Sequence, residues 1–228
     1  MSDQQRKAWE APSLPQAEED QNNPGHQYLT IARLYEISGE TLICNVPISA
    51  GMSPRDSVRV RGRLGEVIYD APEVPVADPP RPLTVAMPKF MLYGAAGNVM
   101  DLNFALRKPG EADWQISQSR NIRVQSQLLT LPRPTLPKGS HTLQIDYLGM
   151  NIGDIVRARL YSSPTSFVDT REFKVTRVGP VPIEIYHSWF EANRDKPVWL
   201  NYAVQRDGEP RRLVSQVLYI EKLEVPSL

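Results

Sequence analysis

The amino-acid sequence predicts an all-β chain made of two tandem β-sandwich domains. Three observations predict it: an internal repeat with a constant offset, apolar positions that alternate with period two, and Gly- and Pro-marked turns between them. The chain has 228 residues, more than the roughly 100 to 150 of a common domain, and can fill two modest cores. Its 21 prolines against 13 glycines, with many Val, Leu and Ile, suit strands joined by proline loops better than long helices.

The repeat is read from matched segments. Gly51-Met52-Ser53-Pro54-Arg55-Asp56 aligns with Gly149-Met150-Asn151-Ile152-Gly153-Asp154, an offset of 98 positions. The same offset carries Leu102–Leu106 onto Leu200–Val204, Gly110-Glu111 onto Gly208-Glu209, and Ser117-Gln118 onto Ser215-Gln216. Leu83, Val85 and Met87 fall on Val181, Ile183 and Ile185, alternating in each copy as half-buried strands do. A gap-free offset over this distance marks a duplicated unit.

Each element follows in order. Residues 1–27 hold too few apolar side chains to offset ordering entropy, Trp9 being the exception, and are predicted to form a flexible N-terminal arm. The first sandwich is expected over 28–128, with strands near 28–34, 41–46, 57–63, 83–87, 101–106 and 121–125. The second is expected over 129–228, with strands near 142–147, 155–161, 170–176, 181–186, 198–205 and 216–221. Lys108-Pro109-Gly110-Glu111 and Arg206-Asp207-Gly208-Glu209 are matched hairpin tips, where Gly supplies the positive φ of a tight turn. The proline-rich stretch 66–82 reads as a long loop or irregular edge strand, because proline cannot donate to a sheet ladder. The proline-spaced segment 129–139 reads as an extended linker.

Composition narrows the function. Lys plus Arg equals Asp plus Glu at 26 each, so no net positive field gathers nucleic acid. No stretch nears the roughly 18 apolar residues of a membrane helix, so no membrane span is expected. The N-terminus carries no Sec-type apolar core, which points to a cytoplasmic protein or a leaderless export route. Cys44, the one cysteine, cannot form an intrachain disulfide and reads as a small core residue of its apolar strand.

No catalytic constellation is found. There is no nucleophile elbow, phosphate loop or dinucleotide fingerprint. His26, His141 and His187 lie far apart in sequence, without the ligand spacing of a structural metal site, so no metal and no cofactor is expected. Asp56 and Asp154 stand alone after their turns and read as acceptors for local backbone N–H groups rather than calcium ligands. Arg59, Arg61, Arg157 and Arg159 alternate with apolar residues and read as solvent-side partners of cross-strand carboxylates. The weak binding candidates are aromatic: Trp189, Phe190 and Trp199 crowd the second copy, and Trp199 points opposite to Val198 and Leu200, towards solvent or a neighbour.

The run Gly153-Asp154-Ile155-Val156, then Asn201-Tyr202-Ala203-Val204, Asp207-Gly208-Glu209 and Ser215 to Ile220 resembles bacterial immunoglobulin-like tandem repeats of the surface and adhesin type. The resemblance implies an immunoglobulin-like sandwich for each copy and carries over no catalytic residue. The expected function is a non-enzymatic binding or structural module that presents loops or sheet edges to a protein or glycan partner. Two alternatives are an accessory or scaffold component of a bacterial toxin or secretion assembly, and a carbohydrate-active enzyme.

Overall fold

The computed structural model describes residues 9–48, 51–78, 80–163, 166–209 and 211–227. The chain divides into two compact units. Unit 1 holds the described residues up to Met87 together with Asn98–Gln125, and unit 2 holds Pro88–Gly97 and the chain from Ser126 onward. The chain is all-β, and the three helices among the described residues are each six residues long: α1 (Ile31–Glu36), α2 (Lys89–Gly94) and α3 (His187–Ala192). α2 and α3 stand 98 positions apart, at the same place in the two copies.

Unit 2 is built on one antiparallel pair. Strand Ile155–Tyr161 runs against Val198–Gln205, from Ile155 opposite Gln205 to Tyr161 opposite Trp199. Phe167–Asp169 and Phe173–Lys174 flank the first strand, and Leu213–Val214 and Leu218–Ile220 flank the second. A smaller sheet pairs Thr142–Ile145 with Val181–Glu184, and Thr135 bridges to Gln144 beside it. Period-two alternation turns Val156, Ala158, Leu160, Leu200, Tyr202 and Val204 inward against Leu143, Ile145, Val181 and Ile183, closing one buried core between the sheets.

Unit 1 repeats this plan. Ser57–Leu64 pairs antiparallel with Val99–Arg107, and Thr41–Val46 pairs with Leu83–Pro88 in the smaller sheet. The proline-rich stretch supplies two short edge strands, Val67–Asp70 and Val74–Pro75, against Ser57–Leu64. The four arginines do find cross-strand carboxylates. Arg61 donates twice to Asp70, at 2.6 and 2.8 Å, and Arg159 twice to Asp169, at 2.5 and 2.8 Å. Burial pushes both aspartates up, but the arginine hydrogen bonds and charges outweigh it and hold them below the usual carboxylate value. Ser117 and Ser215 correspond as well: each hydroxyl accepts the N–H of the core aromatic opposite, Phe104 at 3.0 Å and Tyr202 at 2.9 Å.

The N-terminal segment is placed differently from its expectation. Residues 1–8 of the expected arm lie outside the described residues, but the chain from Trp9 lies on unit 1. Leu14 is fully buried, Ser13 and Asn45 exchange backbone hydrogen bonds, and the Trp9 ring stacks on Phe104 at 5.9 Å. The Gln27 amide copies a neighbouring strand, accepting from Leu14 N at 2.8 Å and donating to Leu14 O at 3.0 Å. Strand Gln27–Leu29 then adds in parallel to Arg120–Val124. Composition averages hide this, because a few well-placed apolar contacts and paired backbone groups are enough to order a polar stretch.

The segment 129–139, read as a linker, does the same work in unit 2. Gln216 N donates to the Leu131 carbonyl just as Gln118 N donates to that of Trp9, and Thr135 pairs with Gln144 as Ser13 pairs with Asn45. Both copies therefore begin earlier than the offset of 98 reveals. Strand 28–34 is also corrected: Thr30 caps α1 by accepting Arg33 N at 3.1 Å, and the chain turns helical with Leu34 fully buried.

Two stability measurements test this description. Leu14→Ala should destabilise unit 1 by about 3 kcal/mol in urea unfolding, whereas a freely moving arm predicts no change. Arg55 holds a φ of 73° where the second copy has Gly153 at 99°, so Arg55→Gly should stabilise unit 1 by about 1 kcal/mol.

Candidate functional site

The aromatic candidates do not form one exposed surface. Phe190 is buried in the core of unit 2, with the Trp189 ring packed edge-on against it at 5.6 Å. Trp199 lies on the opposite face of its strand, as its alternation requires, but a neighbour covers it. Phe90 of α2 sits 5.6 Å from the Trp199 ring and 4.4 Å from Tyr161, and Tyr219 stacks on its other side at 5.6 Å. Only 6% of Trp199 is exposed, so its role is packing. The cover comes from a helix more than a hundred residues away in sequence.

A better site stands at one end of unit 2, built from the loop 148–153 and the turn Arg206–Glu209. Asp154 fixes the loop from below. It is 2% exposed, and its Oδ2 accepts Asn151 N at 3.0 Å and the Tyr147 hydroxyl at 2.7 Å. Burial, with this hydrogen bond to Asp154 adding to it, raises the Tyr147 phenol far above its ordinary value, so it stays a donor. Gly153 N donates to Val175 O at 2.9 Å, and the Arg206 guanidinium donates to the Gly149 carbonyl, tying the loop to the turn. Gly149, at φ 79°, lets the chain reverse.

This frame sorts three apolar side chains. Met150 points into the core, while Leu148 and Ile152 stand 88% and 69% exposed. Gly153, at the end of the loop, also lines an open groove of about 380 Å³ whose walls include Lys174, Arg206, Asp207 and Glu209.

Unit 1 keeps the frame around a different loop sequence. Asp56 is 1% exposed and accepts Ser53 N at 2.8 Å, as read from the sequence. Lys108 takes the place of Arg206, donating to the Gly51 carbonyl and to Asp56 at 2.7 Å. Met52 is the buried anchor. At the matching sequence positions the first copy has Ala50 and Pro54 where the second has Leu148 and Ile152. Sequence reasoning found the tips and both aspartates but missed this difference, which a comparison of the copies position by position exposes.

Other candidates fall elsewhere. Cys44 is fully buried and burial alone pushes its thiol up to about 12, which leaves no nucleophile at neutral pH. Among the described residues no three His, Cys, Asp or Glu side chains gather closely enough to hold a metal ion, although two of the histidines meet, His141 and His187. Among the described residues, no helix is long and apolar enough to cross a membrane.

No protein-family model matches the chain, and no curated protein matches it. Among solved structures, the FN1–FN3 domains of chicken CNTN1 share 9% identity over 82% of this chain, with a TM-score of 0.27; the match spans 61% of that chain. A cytokine receptor complex shares 12% identity over 81% of this chain and 92% of its own, also at 0.27. The fold description rests on the strand pairing and the core themselves.

The assignment of Trp199 to packing is measurable. Trp199→Ala should lower the stability of unit 2 by about 3 kcal/mol, whereas truncating a surface contact changes stability by about 0.5 kcal/mol or less.

Proposed function

We propose that this chain is a non-enzymatic binding module whose second unit grips a protein partner with the loop 148–153 and the facing turn. One observation carries the reading: two aliphatic side chains are held out at 88% and 69% exposure by a loop that a buried carboxylate and an arginine immobilise. A rigid loop loses little entropy on binding, so little of the contact energy is spent on ordering it. Aliphatic tips favour a protein over a glycan at this loop, because sugar sites rely on exposed aromatic platforms and neither Leu148 nor Ile152 is aromatic. The likeness of the repeat to bacterial immunoglobulin-like units of the surface and adhesin type supports the same class of role.

The test is capture from lysate and culture supernatant with the double variant Leu148→Ser, Ile152→Ser. Its stability should stay within about 0.5 kcal/mol of the wild type, since neither side chain is buried. A protein held by the wild type and released by the variant supports the reading. Equal capture by both removes the loop from the interface.

A further inference from the structure

We propose that His141 and His187 form a binding site for a divalent transition-metal ion of the copper, nickel or zinc type. The two residues are 46 positions apart in sequence, yet His141 Nε2 lies 2.9 Å from His187 Nδ1. Both are anchored by their elements. His141 directly precedes strand Thr142–Ile145 and its carbonyl accepts Ile185 N at 2.8 Å, while His187 opens α3. Phe190 packs against the His141 ring in a T-shaped contact at 5.3 Å, which keeps the ring beside α3.

The distance suits chelation. With metal–nitrogen bonds of about 2.1 Å, donors 2.9 Å apart subtend roughly 90° at the ion, the angle of square-planar or octahedral coordination. An ion would take the place of the hydrogen bond between the rings, each ring turning so that a lone pair faces the ion. Partial exposure permits this swing and leaves water to fill the remaining positions; the His187 side chain is 30% accessible.

The outer group is also present. Glu191, one helical turn on, places Oε1 3.4 Å from the other nitrogen of His187, Nε2, where a carboxylate orients a ligating imidazole and raises its basicity. Arg194 holds that carboxylate with two hydrogen bonds, at 2.6 and 2.8 Å. The first copy has Lys89 in place of His187, so the site belongs to the second copy alone.

The experiment is calorimetric titration of the full chain with Cu²⁺, Ni²⁺ and Zn²⁺ salts, with circular dichroism confirming the fold of each variant. The wild type should bind one equivalent, with Cu²⁺ tightest as the general affinity order requires. His141→Ala and His187→Ala should each abolish binding, and Glu191→Gln, which leaves both rings in place, should weaken it about 10- to 100-fold. If the wild type binds no ion, or His141→Ala binds as well as the wild type, the pair is only a hydrogen bond and the proposal is overturned. Should the histidine variants misfold, the Glu191→Gln titration decides alone, and unchanged affinity refutes the site.

Discussion

Everything in each unit hangs on one antiparallel pair, Ser57–Leu64 with Val99–Arg107 in the first and Ile155–Tyr161 with Val198–Gln205 in the second. Its register decides which side chains go inward, because slipping by one residue would exchange the two faces. It sets valines and leucines against the smaller sheet and leaves the arginines outside, within reach of Asp70 and Asp169. It also brings the entry to one strand and the exit of the other to the same end. In unit 2 that juxtaposition lets Arg206 reach back to Gly149 and close the loop that displays Leu148 and Ile152.

Most of this framework is legible in the chain. Alternation at Val198, Leu200, Tyr202 and Val204 reports a buried face, and the recurring Gly and Asp of the turns report where strands begin, because these depend on neighbours a few residues away. The roles of Asp56 and Asp154 follow for the same reason: each accepts the backbone N–H three residues before it.

What escapes the sequence depends on partners far along the chain. Trp199 alternates like a solvent-side residue, and nothing near it announces Phe90. The meeting of His141 and His187 needs α3 to fold back over the end of a strand, and no ligand spacing encodes that. The N-terminal segment is a different case, since its signal was present in Pro12-Ser13-Leu14-Pro15 and Pro134-Thr135-Leu136-Pro137. An insertion in the first copy, containing α1 and the strand Gln27–Leu29, shifts that match away from the common offset and hides it.

The division of labour within the loop 148–153 bears on how such a chain can change. Met150 and Asp154 belong to the fold, and altering either disturbs a core contact or a buried carboxylate. Leu148 and Ile152 are exposed, so replacing them costs little stability. The residues that hold this loop and those that stand out from it are thus separate, so on the reading proposed above a change of contact leaves the fold in place.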